Sequence, residues 1–205
     1  MKTRIFLIRH GETIWNLEQR CQGFTDIELS DKGVEQAERV AAYLAKNFSL
    51  QAIYSSDLMR AKKTAEAIAQ KQGLAVRIDP RLRELNQGEF EGQQLFITLK
   101  DQPEILEKWY KEPAEFLMPG GESLTQLQAR TWPAFNEIVD NHQGENSAIV
   151  GHNLCITTIL CKILNLHLNQ FRRIKQSSAA LNEIVFEPYG PVIMRLNDTH
   201  FLDGI

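Results

Sequence analysis

The feature that most constrains this chain is Ile5-Phe6-Leu7-Ile8, an almost uninterrupted apolar run followed at once by Arg9-His10-Gly11. Successive side chains of a strand point to opposite faces, so a strand apolar at every position must be covered on both. The segment from Lys2 to Ile8 therefore reads as a central strand of a sheet with helices on either side, and Gly11 permits a tight exit. The rest of the chain repeats the theme. Ser30 can cap a helix over about Asp31 to Asn47, where Val34, Ala37, Val40, Ala41 and Leu44 follow the helical period. Ala52 to Tyr54 is a short strand. A helix from about Met59 to Gln72 follows, with Gly73 as its stop. Leu74 to Ile78 is a strand ended by Pro80. Ser123 and Gln126 form a capping-box signature for a helix to about Asn141, in which Pro133 predicts a kink or a break. Ser147 to Val150 is a strand, about Leu154 to Leu164 an apolar and buried helix, and Ala180 to Glu187 with Val192 to Leu196 a terminal hairpin. Residues 14 to 29 read as irregular.

This alternation predicts an α/β fold, a three-layer sandwich with a mostly parallel central sheet and helices on both faces. The 205 residues suit a single domain spanning 1–205. An insertion at about 83–121, rich in Gly and Pro, is expected to lie over one end of the sheet, above the active site. A helix around Pro103 to Lys111 fits inside it, and Phe90, Phe96, Trp109, Tyr110 and Phe116 argue for its order.

Composition narrows the function. The formal net charge is -3, with no long basic block, which disfavours nucleic acid as a partner. No stretch approaches the length of a membrane span, and the N-terminal apolar run is too short for a signal peptide, so a cytoplasmic protein without membrane partners is expected. The three cysteines, Cys21, Cys155 and Cys161, show neither disulfide nor zinc-type spacing. Cys155 and Cys161 read as buried small hydrophobes. No G-x-G-x-x-G or P-loop follows any strand, which disfavours dinucleotide and nucleotide-phosphate folds.

Chemistry gathers at strand ends. Arg9-His10, Ser55-Ser56-Asp57, Glu84 and Gly151-His152 each sit at or just beyond one, and Arg60 opens the helix after another. In a parallel sheet these ends share a rim, where open α/β sheets bind their ligands. Arg-His-Gly alone would arise by chance in roughly one or two of a hundred chains this long, so the weight rests on the combination. Neutral His10 can attack phosphorus. Arg9, Arg60 and a protonated His152 can hold phosphate oxygens. Glu84 can donate a proton to the departing alkoxide and take one from the attacking water. These types suffice for phosphate-ester hydrolysis without a metal.

These residues resemble the histidine phosphatase superfamily, in its phosphoglycerate mutase-like branch, over nearly the whole chain. The resemblance rests on Leu7-Ile8-Arg9-His10-Gly11-Glu12-Thr13 with Trp15-Asn16, then Gln22-Gly23 with Asp26, Leu29 and Ser30-Asp31-Lys32-Gly33. It continues through Ser55 to Ala65, Leu82-Arg83-Glu84-Leu85-Asn86, Gly120-Gly121-Glu122-Ser123 and Val150-Gly151-His152. It implies a phosphoglycerate mutase-like fold, with His10 as the phosphorylated residue and Glu84 as proton donor. Arg9, Arg60 and His152 would complete the phosphate pocket, and Asn16, Gln22, Gly23 and Asn153 would be further substrate contacts. No cofactor or metal is implied.

Within the family, mutases are similar to one another in a longer insertion with a basic Trp-Arg-Arg-Ser-type motif. Trp109-Tyr110-Lys111-Glu112-Pro113 stands here, so a phosphatase acting on a small phosphorylated metabolite is expected. The alternatives are a cofactor-dependent phosphoglycerate mutase and an inactive phosphate-binding regulatory module. The length, Gly-Gly-Glu-Ser and the tail from Leu196 to His200 resemble the small bacterial branch, with its α-ribazole, metal-independent phosphoserine and broad-specificity phosphatases. The phosphoserine type carries a histidine three residues after the acid, where this chain has Gln87.

Outside the motifs, His142 reads as an exposed helix C-cap and His167 as a loop residue without a role. The tail at His200 either folds back over the site or frays. Arg172, Arg173 and Lys175 read as a solvated face, as do Lys100, Lys108 and Lys111. The edge of the terminal hairpin allows pairing into a homodimer.

Overall fold

The computed structural model describes residues 2–94, 97, 100 and 103–204. Its strands are β1 (Arg4–Arg9), β2 (Ala52–Ser55), β3 (Val76–Ile78), β4 (Asn146–Gly151), β5 (Leu181–Glu187) and β6 (Gly190–Asp198). They form one sheet in the order β3-β2-β4-β1-β5-β6. The strands β3, β2, β4 and β1 are parallel, and the hairpin β5–β6 joins antiparallel to β1. The helices are α1 (Ile14–Leu17), α2 (Asp31–Asn47), α3 (Met59–Gln72), α4 (Pro103–Lys111), α5 (Leu124–Asn141) and α6 (Asn153–Ile163).

The double-sided burial demanded by β1 is met. Phe6 and Ile8 pack with Val40, Ala41 and Leu44 of α2 and with Ala61, Ala65 and Ile68 of α3. Ile5 and Leu7 point the other way, into a cluster with Phe135 and Ile138 of α5 and Ile156, Ile159 and Leu160 of α6. All four β1 side chains are fully buried, each contributing about 1.5–3 kcal/mol. Trp109 and Met118 of the inserted segment join the second cluster, with Phe116 packed against it. The fold is thus a mixed, predominantly parallel sheet between two helical layers.

Local signals set the helix ends. Ser30 Oγ accepts from the Gly33 N–H at the start of α2, and Gly73 closes α3 in the left-handed region at φ 67°. The Ser123–Gln126 capping box is formed. Two expectations need correction and a third is narrowed. Residues 14–17 are helical rather than irregular, because Thr13 and Asn16 make a reciprocal cap. Of the kink or break expected at Pro133, the break is absent, since α5 runs through it from Leu124 to Asn141. Leu127, Ala134, Phe135 and Ile138 are all buried around it, and that packing offsets the lost backbone bond. His142 does cap α5 but is only 6 % exposed, since its ring lies between the Tyr54 hydroxyl at 3.0 Å and the Glu145 carboxylate at 2.6 Å.

The tail settles on α2: Phe201 stacks on Tyr43, and His200 meets the same ring edge-on. Arg172, Arg173 and Lys175 are exposed, as expected of a solvated face, and the Arg172 guanidinium also lies over the rings of Trp109, Tyr110 and Phe171. Phe96 lies outside the described residues. No helix among the described residues is long and apolar enough to cross a membrane.

Candidate active site

Strand register places the two histidines side by side. Arg9 of β1 pairs with Gly151 of β4, so the next residues, His10 and His152, leave the sheet together. The His10 N–H donates to the Gly151 carbonyl at 3.0 Å, and the ring centroids stand 5.2 Å apart. The turn after His10 admits only glycine. A Cβ on Gly11 would meet the Gly33 carbonyl oxygen at 2.3 Å, so the first turn of α2 packs directly on the backbone of the loop.

Hydrogen bonding fixes each imidazole's tautomer. His10 Nδ1 lies 2.6 Å from the Gly11 carbonyl, which can only accept; Nδ1 carries the proton and Nε2 the lone pair. Burial, then the charges of Arg60 and Arg9, hold His10 well below the ordinary imidazole pKa, so the ring is neutral and nucleophilic. His152 is the converse. Its Nδ1 accepts from Arg60 Nε at 3.2 Å, which leaves the proton on Nε2, a buried atom with no partner of its own. Burial and then Arg60 depress His152 as well. The hydrogen bond from Arg60 therefore makes His152 a neutral Nε2–H donor rather than the protonated ring expected.

Arg60, on the first turn of α3, is wholly buried. Nη1 donates to the Thr25 carbonyl at 2.9 Å and Nη2 to the Gly23 carbonyl at 2.8 Å. Burial brings its pKa down to about 10, against the opposing pull of Glu84 and Asp26. Arg9 donates to the Gln176 carbonyl at 2.6 Å. Gln176 is itself locked to Asn182 by a reciprocal pair of amide bonds of 3.0 and 2.8 Å.

Glu84 arrives by a different route. The chain turns through a short 3-10 helix, Pro80–Leu82, capped by Asp79. Leu82 and Leu85, both fully buried, fix the backbone either side of the carboxylate. Its Oε1 accepts from the backbone N–H of Leu85, Leu154 and Cys155 at 2.8, 3.1 and 3.3 Å, the last two on the first turn of α6. Oε2 shares only the Leu154 N–H, at 3.2 Å, and is the oxygen more available for proton exchange. Arg130 clamps this segment by donating to the carbonyls of Arg81, Arg83 and Glu84 while paired with Glu122.

Arg9, His10, Arg60 and Glu84 line one cavity of about 380 Å³, together with Asn16, Gln22 and Asn153. His152 is not among the lining residues; fully buried, it packs against His10 and Arg60. Gly23 does not line the cavity; its carbonyl holds Arg60 instead. The Ser55-Ser56-Asp57 turn does not face it either. Both serines are fully buried, and Asp57 is paired with Arg83, which holds Asp57 below the usual carboxylate range. The walls hold residues given no role from sequence: Trp15 in α1, Gln19, Arg20 and Cys21 after it, and Gln87, Gln94 and Ile97 from the 83–121 segment. The Thr13–Asn16 cap was the available signal for the first group; an N3 asparagine is a weaker mark than the usual Glu or Gln.

A profile of the histidine phosphatase superfamily (branch 1) matches residues 5–199. The chain belongs to the histidine phosphatase superfamily. Among its relatives, "Phosphoglycerate mutase-like protein 4" of Arabidopsis thaliana is 39 % identical over 82 % of this chain and 78 % of its own length. "Probable phosphoglycerate mutase GpmB" of Escherichia fergusonii is 33 % identical over 98 % of this chain and 95 % of its own. Solved structures match this histidine phosphatase end to end. A mycobacterial glucosyl-3-phosphoglycerate phosphatase superposes with TM-score 0.87 at 28 % identity, covering 97 % of this chain and 100 % of the other. A phosphoserine phosphatase from Entamoeba histolytica, solved with phosphoserine, gives 0.86 at 27 % identity, covering 98 % and 99 %.

Proposed function

We propose that this histidine phosphatase hydrolyses phosphomonoesters of a small metabolite through a covalent phosphohistidine on His10, without a metal. His10 Nε2 attacks phosphorus and the P–O ester bond breaks, while Glu84 delivers a proton to the leaving alkoxide. Water then attacks the phosphorus of the phosphohistidine as Glu84 takes a proton from it, the Nε2–P bond breaks, and release of phosphate restores neutral His10. Arg9, Arg60 and the Nε2–H of His152 stabilise charge on the transferring group. Asn16, Gln22 and Asn153 line the remainder of the substrate cavity.

The names of the relatives favour a mutase, whose bisphosphorylated intermediate needs positive charge for a second phosphate. The observation that carries the hydrolase reading is the cavity wall. Beyond Arg9 and Arg60, the cationic residue among its described residues is Arg20. Arg20 is paired with Glu18 at 2.8 Å and lies over the Trp15 ring. Apart from His10 and Glu84, the other strongly polar side chains of the wall are neutral amides: Asn16, Gln19, Gln22, Gln87, Gln94 and Asn153.

The test is phosphate release in chelator from phosphoserine, α-ribazole phosphate, phosphoglycerates, sugar phosphates and nucleotides. His10→Ala serves as control, and isomerisation of 3-phosphoglycerate primed with 2,3-bisphosphoglycerate is followed in parallel. Release abolished in His10→Ala, with isomerisation negligible, is the expected result. Isomerisation outrunning release would establish the mutase. Neither activity in folded protein would leave the phosphate-binding module.

A further inference from the structure

Arg60 is a fully buried cation, yet among the described residues no carboxylate lies within ion-pair distance of it. Its charge is answered at one remove. The Gly23–Phe24 peptide unit is trans and planar, so its C=O and N–H point in opposite directions. The carbonyl accepts from Arg60 Nη2 at 2.8 Å. The N–H of the same unit, on Phe24, donates to Glu91 Oε1 at 2.8 Å. One amide is thus held between a guanidinium on its oxygen and a carboxylate on its hydrogen, each strengthening the other bond. Thr25 touches both groups through two successive peptide units: its carbonyl accepts from Arg60 Nη1 at 2.9 Å, and its N–H, in the preceding unit, donates to Glu91 Oε2 at 2.8 Å. Its hydroxyl adds a further bond to Oε2.

Two more facts tie Glu91 to this task. Gly23 stands at φ 51°, and a Cβ there would meet Glu91 Oε1 at 1.9 Å, so the loop is shaped around the carboxylate. Oε1 also accepts from the Gln87 N–H at 3.3 Å, and Gln87 lines the cavity. Glu91 therefore joins the loop that grips Arg60 to the 83–121 segment, whose Gln87 lines the same cavity.

We propose that Glu91 is a positioning residue for phosphate recognition, acting through the Gly23–Phe24 and Thr25 backbone to hold the Arg60 guanidinium in its forked orientation. Glutamine cannot replace it, because both oxygens accept N–H bonds and an amide NH2 would face one of those donors. The proposal rests on Arg60 holding the phosphoryl group, so the experiment tests both statements separately.

Glu91→Gln, Arg60→Lys and the double variant are compared with the parent on para-nitrophenyl phosphate, with orthovanadate as inhibitor and thermal unfolding of each variant in parallel. Glu91→Gln is expected to lower kcat/KM and vanadate affinity together, by roughly tenfold, when Arg60 is present. In the Arg60→Lys background, which has lost the fork, the same change is expected to cost less than about twofold. Equal losses in both backgrounds would mean that Glu91 acts independently of Arg60, and the proposal would fall while Arg60 kept its role. Full activity in Arg60→Lys would remove the phosphate role of Arg60, and Glu91's with it. Should Glu91→Gln not fold, Glu91→Asp, which keeps the charge but shortens the reach, enters the same cycle under the same criterion.

Discussion

The neutrality of His10 and His152 can be read as stability. Both rings are buried, 2 % and 0 % exposed, and both are pushed well below the ordinary imidazole value of 6.5 by burial and by the neighbouring arginines. In the unfolded chain each titrates near that value. Between 6.5 and the folded-state pKa the unfolded chain binds more protons, so stability rises with pH in that window. The contribution is complete above 6.5 and is lost as pH falls below it. Going from about pH 7.5 to about pH 5.5, each histidine that stays neutral when folded removes about 1.4 kcal/mol, and the pair about 2.7 kcal/mol.

Urea unfolding at the two pH values measures this. Carboxylates contribute to the raw difference but cancel between variants. His152→Gln, which keeps an acceptor for Arg60 Nε, should lose about 1.4 kcal/mol less than the parent over the interval. His10→Gln with His152→Gln should lose about 2.7 kcal/mol less. A variant whose pH dependence matches the parent's would show that the folded histidines titrate normally, and the tautomer argument for the nucleophile would fail with it.

Two further outcomes follow from the same packing. Arg130→Met takes the guanidinium donor from three carbonyls and from the Glu122 carboxylate, which keeps the Asn86 N–H. It should cost about 3–5 kcal/mol in unfolding free energy and lower kcat more than it raises KM, because the Glu84 backbone loses its clamp. Burial pushes the Cys155 thiol up to about 12 and that of Cys161 up to about 11. Iodoacetamide at mildly alkaline pH should therefore spare both until urea unfolds the chain; rapid labelling of either in native protein would contradict their burial.

What local chemistry governs was legible in the sequence. Asp31–Asn47 and Met59–Gln72 form as expected, because a helical period, an N-cap serine and a stopping glycine all act within a few residues. The covered face on each side of β1 followed from Ile5-Phe6-Leu7-Ile8, since no other environment accommodates a strand apolar on both sides. His10, Arg9, Arg60 and Glu84 were found because strand ends of a parallel sheet share a rim, and they do line one cavity.

The tertiary structure decided everything that depends on a partner distant in the chain. Gly23 turns its carbonyl to the Arg60 guanidinium rather than to the cavity, while Glu91, far along the sequence, draws the adjacent N–H groups the other way. Pro133 stayed inside a continuous helix because the core holds both sides of it. Sequence named His10 and His152; only the Gly11 carbonyl on one ring and Arg60 on the other fixed which nitrogen carries each proton. Residue types, periods and caps are local quantities, carried by the chain itself. Protonation, hydrogen-bond direction and the shape of a cavity arise from charges and dipoles brought together across the fold, and come into being only when it closes.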